Sequence, residues 1–221
     1  MKKIISTIFF ACFVVSMAAC SLLNSDGKKS SEKYASEKRN EFGFREIKAG
    51  NAVILIISVQ EEEFGISVEG DENLLKDVKT EVEGETLIVS TKGNKISPTN
   101  KIRLKISMPE LLSLELWGAS EATVTKSKSD SLKIQAGGTS VVKIDGETKS
   151  LTATANGASK IDAENLKTEN AEVKTAGTSE IIVFASNDLT AEAFGASTVY
   201  YAGEPKNLKQ NIAGTSEVRK K

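Results

Sequence analysis

The chain has no histidine, and its 221 residues include only two cysteines, three prolines and one tryptophan. Each scarcity excludes something. Without histidine, the commonest general base and the commonest metal ligand are both missing. The cysteines are Cys12 and Cys20, near the N-terminus. The body therefore has no disulfide framework, no cysteine zinc site and no thiol nucleophile. Neither sign of charge is in excess, with 29 Lys+Arg against 30 Asp+Glu. That balance leaves no basic footprint for nucleic acid. Helical 3.6-residue spacing of apolar residues is absent as well, which points to an all-β body.

The N-terminus reads MKKIISTIFFACFVVSMAAC. Lys2 and Lys3 precede a short apolar run, Ile4 to Met17, and the small residues Ala18 and Ala19 follow. That order predicts a secretory signal over 1–19, too short for a spanning helix. Ser16-Met17-Ala18-Ala19-Cys20 resembles a bacterial lipobox, with Met17 where leucine is usual. The resemblance implies cleavage before Cys20 and lipid on Cys20, which would hold the protein on a membrane. Residues 20–40 are polar, rich in Lys, Ser and Glu, and aperiodic, so they read as a flexible tether. Removing Lys2 and Lys3 leaves 29 − 2 = 27 basic against 30 acidic residues, a net −3. Such a body is not drawn electrostatically to an anionic bilayer.

From residue 41 to 221 the sequence reads as one domain, with an irregular part over 41–111 and a regular one over 112–218. The regular part carries six Gly-(Ala/Thr)-Ser triplets, at Gly118, Gly138, Gly157, Gly177, Gly195 and Gly214. The intervals are 138 − 118 = 20, then 19, 20, 18 and 19. A period near 20 residues marks a solenoid. Apolar or small residues recur at even offsets from each glycine. At −6 stand Leu112, Leu132, Leu151, Ala171, Leu189 and Leu208, and at +4 Ala122, Val142, Ile161, Ile181, Val199 and Val218. Odd offsets are mostly polar. Alternation on both sides of a glycine predicts two short strands joined at a corner, where glycine supplies a positive φ and serine bonds the turn backbone. Stacked corners build a continuous core.

A second period overlies the first. Trp117, Asn156 and Phe194 precede alternate glycines, whereas Gly137, Ala176 and Ala213 precede the others. Either turns of about 20 residues alternate in type, or one turn holds two corners and about 39 residues. Stacking of like residues favours the longer turn, and compactness favours the shorter. In the irregular part, Ala52–Val59 (AVILIISV) suits a strand buried on both faces. Leu74–Val78 suits a short helix or an irregular connection. This part is expected to begin the same solenoid with longer loops and to cap it.

The Phe44-x-x-Ile47-x-x-Gly50 opening, Val68-x-Gly70-Asp71, Gly84-x-x-Leu87-Ile88-Val89, Met108-Pro109-Glu110-Leu111 and the serial Gly-Ala/Thr-Ser corners together resemble the DUF2807 family of Bacteroidota. Its members are described as "putative auto-transporter adhesin, head GIN domain" proteins. The resemblance covers roughly 41–218. It implies a single-stranded right-handed parallel β-helix in a cell-envelope setting, with no catalytic residues to carry over.

The expected function is therefore binding by a lipid-anchored envelope protein, on the outer membrane, with the membrane face left open. The partner would be a glycan or an envelope protein. The candidate ligand-binding residues are Trp117, Asn156 and Phe194. At odd offsets they point outward, and in the longer turn they would lie in one column, two rings and an amide facing a sugar. Tyr200 is expected outward and Tyr201 inward. The alternatives are a structural or envelope-stress component and, less favoured, a polysaccharide lyase or hydrolase. The last needs clustered carboxylates or calcium ligands. Glu121, Glu180 and Glu217 share one offset but alternate with Val141, Lys160 and Thr198. No enzyme activity, cofactor or metal is expected.

Overall fold

The computed structural model describes residue 31 and residues 33–59, 64–92 and 102–221. The predicted signal, Cys20 and residues 21–30 of the predicted tether lie outside these. The described residues form a parallel β-solenoid closed at its N-terminal end by antiparallel strands.

The regular part is built from β9 (Glu121–Ala136), β10 (Val141–Gly157), β11 (Lys160–Gly177), β12 (Glu180–Phe184), β13 (Asp188–Gly195), β14 (Thr198–Ala202), β15 (Asn207–Gly214) and β16 (Glu217–Lys220). Earlier in the chain come β1 (Tyr34–Arg39), β2 (Glu46–Ala49), β3 (Val53–Val59), β4 (Gly65–Asp71), α1 (Glu72–Leu75), β5 (Val78–Glu83), β6 (Thr86–Thr91), β7 (Ile102–Met108) and β8 (Ser113–Leu116).

The pairing register settles the length of the turn. Gly157 lies beside Gly177, Gly177 beside Gly195 and Gly195 beside Gly214. One turn therefore holds one corner and about 20 residues, and the longer turn is ruled out. The corner glycines have φ of 74–87°, a region that residues with a Cβ enter only at a cost. Each corner serine is buried, and its hydroxyl donates to the carbonyl three residues back, as Ser179 does to Ala176 (3.0 Å) and Ser159 to Asn156 (3.0 Å). The even offsets fill the core, with Leu132, Leu151 and Leu189 stacked in one column and Val142, Ile161, Ile181 and Val199 in another. Each such leucine contributes ~1.5–3 kcal/mol by leaving water.

The irregular part begins the same solenoid, but out of chain order. β2 and β3 form one layer, and the layer of β6 and β7 lies beneath it, although it comes later in the chain. β8 and the first half of β9 lie above it. The segment Met108-Pro109-Glu110-Leu111 carries the chain from β7 past the β2–β3 layer. Leu111 is buried, and the Leu112 amide donates to the Arg45 carbonyl (2.8 Å). The layer of β2 and β3 turns at Gly50-Asn51-Ala52, where Asn51 and Ala52 take φ of 65° and 64°.

β4 closes the N-terminal end by running antiparallel to β7, and β5 does so against β6. α1 follows β4, with Asp71 accepting from the Asn73 amide at its cap (2.9 Å). β1 adds antiparallel to β4 across its full length. Residues 34–39, expected as tether, therefore belong to the folded body. Their main chain completes the edge of β4, which side-chain pattern alone does not reveal. β3 departs from expectation too. Val53, Leu55, Ile57 and Val59 are buried, but Ile56 on the other face is 39% exposed.

At the C-terminal end no described strand covers β15 or β16, and Leu208 and Ile212 are exposed. Gln210 and Lys220 occupy core-facing offsets there, and Lys220 pairs with Glu204. Polar groups at inward positions blunt an open edge.

Candidate functional site

The corner column is built by the residue before each turn. Register and corner stacking order it as Gly50, Trp117, Gly137, Asn156, Ala176, Phe194 and Ala213. Trp117, Asn156 and Phe194 do share a column, as the longer turn would have required. They reach it differently, with a small residue between each successive pair. At ~4.8 Å per rung, Trp117 and Asn156 stand ~10 Å apart.

Trp117 is 47% exposed. Its ring is not loose. The indole Nε1 donates to Glu115 Oε1 at 2.7 Å. The ring lies across Gly137, where a Cβ would come within 2.3 Å of ring carbons Cε3 and Cζ3. Phe194 and Asn156 are half-buried. The Lys174 ammonium lies 5.4 Å from the Phe194 ring centre. The column thus offers one open aromatic face, an amide, and a second ring carrying a cation, all set by a regular backbone. Such an arrangement can stack an apolar sugar face and hydrogen-bond its edge. Tyr200 and Tyr201 are both half-buried, and Tyr201 packs on the core as expected.

The carboxylates at one offset do not converge. Glu121 lies beside Val141, which lies beside Lys160, and Lys160 pairs with Glu180 at 2.6 Å. Among the described residues, no group of three or more Asp, Glu, Cys or His is placed to hold a metal.

Sequence reasoning missed a second feature, a cavity of about 600 Å³ at the bend midway between corners. Ser129, Thr148 and Thr168 stack there, flanked on each rung by two charges of opposite sign: Lys128 and Asp130, Glu147 and Lys149, Lys167 and Glu169. The bend is set by Lys126 and Gly146, both at positive φ. The charges are largely spent on each other. Lys149 meets Asp130 at 2.8 Å, a bond that raises its pKa above the usual lysine range, and Lys128 meets Glu147 at 3.5 Å. Lys167 instead stands 4.3 Å from the Phe184 ring centre. The signal was legible as Lys-Ser-Asp, Glu-Thr-Lys and Lys-Thr-Glu at intervals of 147 − 128 = 19 and 167 − 147 = 20.

The fold recurs in solved proteins. A "putative adhesin" from Bacteroides fragilis matches with a TM-score of 0.72 at 18% identity, over 87% of this chain and 99% of that one. A "putative adhesin" from Parabacteroides merdae matches with a TM-score of 0.59 at 19% identity, over 87% and 98%. No curated protein matches the chain. No helix among the described residues is long and apolar enough to cross a membrane. The family model described as "Putative auto-transporter adhesin, head GIN domain" matches residues 43–205, and the chain belongs to that family, DUF2807.

Proposed function

We propose that this protein is a cell-envelope lipoprotein, anchored through Cys20, whose corner column binds an extended glycan. The observation that carries the binding reading is Trp117. A lone tryptophan with nearly half its surface in water, pinned by Glu115 and seated on a glycine, is a preorganised platform. Rigid aromatic surface of this kind loses little entropy on binding. The rung spacing suits a polymer because Asn156 and Phe194 continue the line at two-rung steps. Adhesin-like relatives, and the lack of converging carboxylates among the described residues, both favour binding over catalysis. The family's envelope setting and the Ser16–Cys20 pattern favour anchoring.

The test uses the chain from residue 20 with Cys20→Ser, screened against a glycan array beside Trp117→Ala and Phe194→Ala. Binding that Trp117→Ala abolishes and Phe194→Ala weakens is expected. Binding indifferent to both substitutions would remove the column as the site. In cells, Cys20→Ala is expected to move the protein out of the membrane fraction, and retention there would overturn the anchor.

A further inference from the structure

The polar face beside the corner column divides into charges that are spent and neutral groups that are not. Two residues before each column member stands a second outward row, ordered by register as Glu115, Gln135, Thr154, Lys174 and Glu192. These side chains point outward because their neighbours along the strand are core residues, as Ile134 and Ala136 are for Gln135, and Ala153 and Ala155 for Thr154. The charged members sit at the two ends of the row, next to the rings, and each is paired. Glu115 accepts from Trp117 and meets Lys48 at 3.5 Å, and Lys174 meets Glu192 at 3.0 Å. One row further out, Lys133 and Glu172 oppose each other in sign. The band between Trp117 and Phe194 therefore has no excess of either charge.

The middle of the band is different. Gln135, Thr154 and Asn156 are half-buried, and their side chains hydrogen-bond no described residue. Two amides and a hydroxyl, on adjacent rungs ~4.8 Å apart, keep all their donors and acceptors for whatever lies over them. The backbone beneath them is regular, since β9, β10 and β11 pair in parallel through these positions. The rings bracket them. Trp117 and Phe194 stand four rungs apart, ~19 Å, so a single sugar reaches one ring and only a chain reaches both.

We propose that this band is the polar floor of the glycan site and that it selects an uncharged chain. The two rings stack sugar faces, and Gln135, Thr154 and Asn156 hydrogen-bond the hydroxyls of the sugars between them. The inference rests on the reading that the corner column binds a glycan. An amide or a hydroxyl can both donate to and accept from a sugar hydroxyl. A uronate or sulfate would find no unpaired cation in the row of Gln135 and Thr154, and would set its charge against the Glu115 and Glu192 carboxylates. Covering a charge without a partner is costly, so the band discriminates against such chains.

The test is array binding of the Cys20→Ser chain, with mannan, dextran and galactan as uncharged chains and alginate and polygalacturonate as anionic ones. Binding to at least one uncharged chain and to neither anionic one is expected, unchanged by added salt. Gln135→Ala and Thr154→Val are each expected to weaken that binding by about three- to tenfold. Neither should lower the melting temperature, because neither side chain bonds within the fold. Gln135→Glu and Gln135→Lys separate charge from hydrogen bonding. Both should weaken an uncharged ligand, whereas an anionic ligand would weaken with glutamate and tighten with lysine. Binding that Trp117→Ala abolishes but that is indifferent to Gln135→Ala and Thr154→Val, or that prefers the anionic chains, would overturn this inference and leave the column reading standing. Absence of binding to any chain, or binding indifferent to Trp117→Ala, would overturn both.

Discussion

Gly177→Ala isolates what holds the solenoid at its corners. Two costs follow from the structure. Gly177 has φ of +86°, and placing a Cβ residue in the left-handed region costs ~1–2 kcal/mol. The added Cβ would also stand 2.5 Å from the Gly157 carbonyl oxygen and 3.2 Å from its Cα. That oxygen cannot swing aside cheaply, because it accepts the Thr178 amide at 2.7 Å. Overpacking of this kind costs ~1–3 kcal/mol. The lost freedom of the unfolded glycine returns ~0.4–1 kcal/mol. The net is about 3 kcal/mol. Gly84→Ala is the control. Gly84 turns between β5 and β6 at φ +61°, and a Cβ there meets nothing within 4 Å. It should cost about 1 kcal/mol from strain alone. Urea unfolding reads the difference. With m near ~2 kcal/mol/M, the corner variant should unfold at a midpoint lower than the control's by about 1 M. Equal losses at the two glycines would refute the reasoning, because the rung-to-rung clash would then contribute nothing.

Two further outcomes follow from hydrogen bonds in the fold. Ser179 is buried, and its hydroxyl reaches the carbonyls of Ala155 (2.8 Å) and Ala176 (3.0 Å), so it ties two turns together; Ser179→Ala should lose ~1–3 kcal/mol in urea unfolding. The Lys105 hydrogen bond holds the Glu69 carboxyl below its ordinary 4.5, so the pair stabilises the fold above that pH and the contribution fades as pH falls below it; Glu69→Gln should flatten the acid side of the stability profile, with no change in slope counting against it.

The repeat was legible because glycine is nearly obligatory at each corner and strands alternate strictly. Both signals are local. Gly118, Gly138, Gly157, Gly177, Gly195 and Gly214 each met the expected backbone. The corner at Gly50-Asn51-Ala52 was not legible, because Asn51 and Ala52 carry the positive φ there and the serine is missing. Layer order was equally hidden. Nothing local in Glu46–Val59 says that residues 86–108 will slide beneath it, since that follows from pairings more than 30 residues apart. β1 was lost for a related reason, as an edge strand is held by main-chain bonds more than by its side chains. AVILIISV misled in the other direction. Its run of apolar residues reads as burial on both faces, yet Ile56 is exposed on the outer one.

The double period in the corner column has a steric cause rather than a topological one. Rungs stack at ~4.8 Å, and an indole laid across its neighbour fills the space that the neighbour's side chain would need. Gly137 shows this directly, since its missing Cβ would overlap the Trp117 ring. A large residue at 137 would collide with that ring, so Gly137 is the gap that lets Trp117 lie down, and Gly50, Ala176 and Ala213 are the column's other small members. A ladder of like residues on a 39-residue turn would produce the same sequence pattern, which is why periodicity alone could not choose between them. The same packing fixes the surface that a ligand meets. The Trp117 ring, lying across the next rung, leaves its other face to solvent, whereas a ring standing between large neighbours on consecutive rungs would present only its edge.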